Sequence, residues 1–221
     1  FADNPLGELK LGCGWLPDAW RESDDISYAI REVARTDTAG LFNYSTPLGL
    51  PALREQLLKR LTQIHIATSL DRILTTAGAS HAQDLLIRTL LKAGDSVVVE
   101  TPGYANLYRQ LAFQGVKLLE VPRTRGGPDL PALEALLQEH HPKCLFIHSL
   151  YHNPTGTSLC RVVAERLLEL AQHSKVVGIG ETGLDYYWHK NTSPEANEWQ
   201  RQRFRVHLRA ARACGKPLII H

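Results

Sequence analysis

Two turns in this sequence carry residue types that could hold a ligand. The first is Tyr151-His152-Asn153-Pro154-Thr155-Gly156, directly after the apolar run Cys144-Leu145-Phe146-Ile147-His148-Ser149-Leu150. An Asn-Pro turn that ends a buried strand presents an amide side chain at the carboxyl edge of a sheet, with proline fixing φ and glycine letting the backbone turn. The second is Ala77-Gly78-Ala79-Ser80, between the β-type run Arg72-Ile73-Leu74-Thr75-Thr76 and a helical pattern over 81–91 closed by Gly94. Strand, small-residue turn and helix together aim helix N-terminal N–H groups at an anion. Each turn alone is ordinary, since most strand-to-helix turns bind nothing; their weight depends on agreement with other motifs.

The elements that must position these turns follow from periodicity. Residues 1–35 read as an arm, loop-like around Gly12-Cys13-Gly14-Trp15 and then helical through Ile26, Ile30 and Val33. Pro51 and the apolar spacing over 52–61 predict a helix after the turn-rich segment 43–51. Residues 96–100 read as a buried strand ended by Thr101-Pro102-Gly103-Tyr104, and 108–113 as a helix stopping at Gly115. A strand over 116–121 leads through the loop 123–128 into a helix over 130–139, and the strand 144–148 reaches the Asn-Pro turn. Beyond it the pattern predicts a helix over 159–172, a strand over 175–180, a long helix over 195–214 capped at Gly215, and a strand over 217–220. Regular alternation of this kind argues an α/β fold: a mainly parallel sheet between helical layers, a three-layer sandwich, with ligands at the strands' carboxyl ends.

Composition narrows the function classes. At 221 residues with 43% hydrophobic content the chain can bury a real core. A net charge of +2, from 25 basic and 23 acidic residues spread along the chain, leaves no footprint for nucleic acid or a membrane surface. Cys13, Cys144, Cys160 and Cys214 lie far apart without a CxxC pair, which favours reduced thiols in a cytoplasmic protein and no structural zinc. No apolar run approaches ~20 residues and no charged-then-apolar leader is present, so neither a span nor a signal peptide is expected. The sequence begins at Phe1 and contains no Met, which reads as a fragment or a processed or engineered chain.

With these residues in view, the stretch from Phe1 to about residue 160 resembles the large domain of fold-type I pyridoxal-phosphate enzymes, the class I/II aminotransferases. Gly12-Cys13-Gly14-Trp15 leading to Asn43-Tyr44 is most similar to the aminotransferase-like domain of GntR/MocR regulators. The resemblance implies that Tyr44 reaches the cofactor phosphate, often from a neighbouring subunit, and that Gly78, Ala79 and Ser80 offer that phosphate N–H groups and a hydroxyl. It implies further that Tyr104 stacks on the pyridine ring and Asn153 hydrogen-bonds its phenolic oxygen. These roles suit the chemistry: a dianion wants a helix N-terminus, a flat cationic ring an aromatic face, a phenolate an amide donor. Catalysis in the family also needs a Schiff-base lysine, an aspartate on the pyridine nitrogen and an arginine for the substrate carboxylate. After Asn153 the lysines are Lys175, Lys190 and Lys216, none in the family's Ser-rich setting; Arg54 and Arg123 fit surface positions as well as a carboxylate site.

From about Arg166 onward the chain resembles the TatD family of metal-dependent hydrolases, which are TIM barrels. The residues are Val177-Gly178-Ile179-Gly180-Glu181-Thr182-Gly183-Leu184-Asp185-Tyr186-Tyr187 and Lys216-Pro217-Leu218-Ile219-Ile220-His221. That resemblance implies metal ligation by Glu181 and His221, although two ligands do not hold a divalent metal against water. Asp185 could stand where an aminotransferase aspartate would. The combined expectation is a chimera: an aminotransferase-like pyridoxal-phosphate-binding segment over 1–160 and an incomplete TatD-like hydrolase segment over 161–221, joined into one sheet or forming a separate half-barrel. Pyridoxal phosphate would bind weakly, with full catalytic activity in neither family's reaction. The alternatives are the ligand-sensing domain of a GntR/MocR-type transcriptional regulator, working as a homodimer, or a recombined scaffold without native function.

Overall fold

The computed structural model describes residues 21, 23–63, 66–173, 179–182 and 218–220. It divides into two compact units, Phe1–Pro47 and Leu48–His221. In the first, α1 (Ser23–Thr36) buries none of its residues. The short helix α2 (Thr38–Phe42) starts where the Asp37 carboxylate accepts a hydrogen bond from the Gly40 N–H at 2.8 Å, satisfying an otherwise orphaned first-turn donor. This agrees with the helical pattern expected through Ile26, Ile30 and Val33.

The second unit runs α3 (Pro51–Gln63), a 3-10 turn (Leu70–Arg72), α4 (Ala79–Leu90), β1 (Ser96–Thr101), α5 (Ala105–Phe113), β2 (Lys117–Thr124), β3 (Gly127–Pro128), α6 (Leu130–His140), β4 (Cys144–Phe146), α7 (Arg161–His173), β5 (Ile179–Thr182) and β6 (Leu218–Ile220). The sheet order is β3-β2-β1-β4-β5-β6. Every neighbouring pair is parallel except β2 with β3, which close an antiparallel hairpin, so the sheet is mixed.

Residues on β1 alternate between two cores, as strand pleating requires. Val98 faces Leu119, Val121, Leu145 and Leu133 together with α7 through Ala164, Leu167 and Leu170. Val97 and Val99 face Ile87 of α4 and Leu107 and Leu111 of α5. All three valines are within 1% of full burial, and each contributes about 1.5–3 kcal/mol relative to an exposed side chain. A continuous valine run therefore marks a central strand covered on both faces.

One expectation changes, and one open alternative closes. The run 72–76 is not a strand: Arg72 ends the 3-10 turn and 73–76 continue as extended chain, with the Ile73 carbonyl taken by the guanidinium of Arg54. Arg54 Nε donates to the Ile73 carbonyl at 2.7 Å and Nη2 donates to the Leu70 carbonyl, while the Thr75 N–H donates to Leu48 O at 3.0 Å. Arg54 is accordingly buried, not a surface residue. The last strands also do not form a separate half-barrel. β5 pairs with β4 (Leu145↔Ile179, Phe146↔Gly180) and β6 with β5, extending the first sheet. The expected helix over 195–214 lies outside the described residues, and among the described residues no helix is long and apolar enough to cross a membrane.

Candidate functional site

The carboxyl edge of the sheet gathers the candidate residues of the second unit. β1 and β4 are parallel neighbours in register Val97↔Cys144, so the loops leaving Thr101 and Phe146 emerge at the same edge. A helix that feeds directly into a strand runs back against it, which brings the N-terminus of α4 to that edge as well.

At that N-terminus Gly78 has φ 110° and ψ 169°, a conformation reserved for glycine, and a Cβ built there meets nothing within 4 Å. Among the described residues, the turn is therefore open on that side. Thr76 Oγ1 donates to the Gly78 carbonyl at 3.0 Å, and the Ala77 N–H donates to His81 Nδ1 at 3.2 Å, which fixes the turn from within. The first-turn N–H groups of a helix have no intrahelical acceptor, and here Ala79 is half-buried and Ser80 exposed. Gln110 Nε2 donates to the Ser80 carbonyl at 3.1 Å and ties α4 to α5. Tyr104 is the N-cap residue of α5, half-buried against the core, with its hydroxyl accepting from Asn106 Nδ2 at 2.9 Å. The turn thus presents first-turn N–H groups of the kind an anion binds, and the half-buried Tyr104 opens α5 at the same edge.

The Asn153 turn is anchored from below. Its Asn153–Pro154 bond is cis, as is Thr101–Pro102. Asn153 is exposed, while His152 is 1% exposed. The His152 N–H donates to Thr157 O at 2.8 Å and the Gly156 N–H to His152 O at 2.6 Å, so the turn closes on itself. His152 Nδ1 and Thr155 Oγ1 are 2.8 Å apart, and Thr155 Oγ1 lies 2.8 Å from Thr157 Oγ1.

Beneath this chain of hydroxyls is an ion pair that the sequence pattern does not reveal. Arg123 Nη1 lies 2.5 Å from Glu100 Oε1, with side chains 0% and 2% exposed. Arg123 also donates to His148 O at 2.8 Å, to Thr157 Oγ1 at 3.2 Å and to Thr157 O at 3.3 Å. The second Glu100 oxygen accepts from the His148 N–H at 2.8 Å. Arg123 is therefore an internal anchor and not the surface residue its position allowed.

Burial pushes the Glu100 carboxyl above its ordinary range, against the opposing pull of Arg123 and the His148 N–H. Burial likewise holds His152 down at about 4, helped by the positive charge of Arg123 and by His148. His152 is thus neutral in the fold but titrates near 6.5 once unfolded, so the unfolded chain binds more protons between those values. Stability should be fully present above pH ~6.5 and fall as pH drops toward ~4, by at most about 3 kcal/mol. Glu100 works in the opposite sense, so the comparison with His152→Gln isolates the histidine. Urea unfolding at several pH values should show a shallower acid loss in that variant.

Glu100, His148 and His152 have ligand atoms within 4.8 Å of one another, a spacing a metal could use. The chemistry does not fit. The Glu100 charge is already balanced by Arg123, and a divalent cation would add two positive charges to a buried site beside a guanidinium. Of the metal ligands implied by sequence, Glu181 lies on β5 and His221 outside the described residues. Asp185 also lies outside them. Tyr44 belongs to the first unit and is fully exposed. The structure thus gathers Gly78, Ala79, Ser80, Tyr104 and Asn153 along one edge.

Residues 7–179 match the family Aminotransferase class I and II. The uncharacterized HTH-type transcriptional regulator YcxD of Bacillus subtilis is 32% identical over 149 residues, covering 67% of this chain and 34% of the regulator. The 2-aminoadipate transaminase of Thermus thermophilus is 33% identical over 107 residues, 48% of this chain and 27% of that enzyme. Among solved structures, LysN, the alpha-aminoadipate aminotransferase of Thermus thermophilus complexed with N-(5'-phosphopyridoxyl)-L-leucine, matches with a TM-score of 0.75 at 24% identity, over 94% of this chain and 50% of its own. That last likeness concerns the fold. The chain spans about a third of these curated relatives' length and half of the solved one.

Proposed function

This chain belongs to the aminotransferase class I and II family, and from that premise we propose that it holds pyridoxal phosphate at the carboxyl edge of its sheet, as the ligand-sensing aminotransferase-like domain of a GntR/MocR-type transcriptional regulator. The observation that carries the cofactor assignment is the open glycine cradle at α4, followed at the same edge by Tyr104 and by the Asn153 turn. The match to an HTH-type regulator over 67% of this chain supports the regulatory setting.

In this reading the α4 N–H groups and Ser80 bind the phosphate, the face of Tyr104 covers the pyridine ring, and the Asn153 amide donates to the phenolic oxygen. Tyr44 would reach the phosphate of a partner copy in a homodimer. When bound, the cofactor supplies an electron sink for amino-acid chemistry; the residues of this chain hold and orient it.

Absorbance titration with pyridoxal phosphate tests the reading. Saturable binding is expected, with Asn153→Ala weakening it about tenfold, the equivalent of one charge-assisted hydrogen bond of roughly 1.4 kcal/mol. No saturable change in the unmodified chain would overturn the assignment. The 33% identity to a transaminase favours a second reading, in which the same site turns over amino acids. Steady-state formation of a keto acid would select the enzyme; amino-acid binding without turnover would select the sensor.

The finer reading, that residues 161–221 carry a TatD-type segment with Glu181 and His221 toward a metal, rests on the sequence of 177–187 and 216–221. None of the comparisons above supports it, and the family match runs past the expected boundary at 160, to residue 179. Calorimetric titration with zinc decides it: binding lost in Glu181→Gln supports the segment, and absence of binding removes it.

A further inference from the structure

The loop from His148 to Thr157 is gripped at both ends by one side chain. Arg123 Nη1 donates to the carbonyl of His148, where the chain leaves β4, and Nη2 and Nε donate to the carbonyl and hydroxyl of Thr157, where it comes back. The same guanidinium is fixed by Glu100 from β1, whose other oxygen accepts the His148 N–H. Strands β1 and β2 each send one side chain into this knot, the segment after β4 adds the N–H and carbonyl of His148, and the loop it closes carries the exposed Asn153.

We propose that Arg123 is a positioning residue for the Asn153 turn, with Glu100 holding its fork in the orientation that clamps both ends of the loop. The inference deepens the pyridoxal-phosphate reading and rests on it for the role of Asn153. The grip itself is a property of the protein without cofactor.

Three features separate this from simple charge neutralisation. The guanidinium spends four contacts in three directions, and only one goes to a charge. A planar fork reaches such a set and a point-charge ammonium does not. The load is also passed on: Thr157 Oγ1, which accepts from Arg123, lies 2.8 Å from Thr155 Oγ1, and Thr155 Oγ1 lies 2.8 Å from His152 Nδ1 next to Asn153. Finally, the return limb is pinned where the Leu159 N–H meets Ser149 O at 2.8 Å and the Cys160 N–H meets Gly126 O at 2.8 Å, so the remaining slack lies within the clamped loop.

The test uses Arg123→Lys, which keeps the charge beside Glu100, and Thr157→Val, which keeps the shape and the ion pair. Two readouts are taken in the full chain: amide hydrogen exchange at His152 and Gly156 without ligand, and affinity for pyridoxal phosphate by absorbance. Both variants are expected to raise exchange in the turn about tenfold or more while amides of α6 stay protected, and to weaken the cofactor about tenfold. Unchanged exchange in both variants overturns the clamp, whatever the cofactor does. Faster exchange with unaltered affinity overturns the link to Asn153, provided Asn153→Ala still weakens binding. If the unmodified chain binds no pyridoxal phosphate, the functional reading fails, and the exchange data decide the clamp alone.

Discussion

Replacing Arg123 with methionine is expected to remove about 3–5 kcal/mol of unfolding free energy, the range for a buried ion pair that loses one member. The magnitude comes less from the lost attraction than from what stays behind. Glu100 is 2% exposed and would keep the His148 N–H as a donor but lose the guanidinium that balances its charge. Burial already pushes that carboxyl upward with Arg123 present. Without Arg123 its pKa in the fold rises further, so the unfolded chain, with an ordinary carboxyl, is the more acidic form. The loss should therefore be greatest at neutral pH and shrink as the pH falls and Glu100 is protonated in the fold. The double variant Glu100→Gln with Arg123→Met should recover part of the stability, because no charge is left to solvate. Urea unfolding at pH 5 and pH 7.5 measures both effects. A pH-independent loss below about 1 kcal/mol in the single variant would mean that Glu100 finds other solvation.

How much of this is legible in sequence depends on how far apart the cooperating residues lie. The central strand is local information: Val97, Val98 and Val99 are consecutive, β-branched and covered on both faces, and the helices on either side follow from spacing. The Gly78 turn and the Asn153 turn are also local, because each is a short string whose residue types dictate its backbone. Arg54 and Arg123 are the opposite case. Arg54 reaches carbonyls 16 and 19 residues away, and Arg123 reaches Glu100 across 23 residues and Thr157 across 34. Nothing in composition or period distinguishes an arginine that folds inward onto carbonyls from one that stays in water. The signal that could have found the pair is positional. Glu100 ends a valine run and Arg123 follows Val121 on the next strand, so each charge sits where a buried strand reaches its carboxyl edge.

The same distinction explains the run 72–76. Its apolar residues have the composition of a strand, and Ile73 is in fact buried at 9% exposure. What a strand also needs is a neighbour for its carbonyls. Here Arg54 donates to the Ile73 carbonyl instead, and Ile73 is buried without strand pairing. The apolar segments 175–180 and 217–220 show the converse. Their composition allowed either a half-barrel or continuation of the first sheet, and the pairing of Leu145 with Ile179 is the contact that selects continuation.

The second large effect is expected at Gly127. A Gly127→Ala protein should lose about 2–4 kcal/mol, combining backbone strain with overpacking of a closed core. Gly127 has φ 141°, and a Cβ there would lie 2.5 Å from Leu159 Cδ2 and 2.7 Å from Val163 Cγ1. Leu159 is 1% exposed and belongs to the core under α6 and α7, with Val163 packed against it, so neither side chain can swing into solvent without cost. Gly127 is also held by its strand: it pairs with Thr124, whose hydroxyl donates to the Gly127 carbonyl at 2.7 Å. Gly78 provides the control. It has a comparable positive φ of 110° but open space where its Cβ would be, so Gly78→Ala should cost only the backbone part, about 1–2 kcal/mol. Val163→Ala in the Gly127→Ala background should return some of the lost stability by removing one of the two clashing groups, although alone it destabilises. Chemical unfolding of the four proteins yields the coupling between positions 127 and 163. Equal losses at Gly127 and Gly78, with no coupling to Val163, would show that conformation alone sets the cost and that the core yields at Leu159.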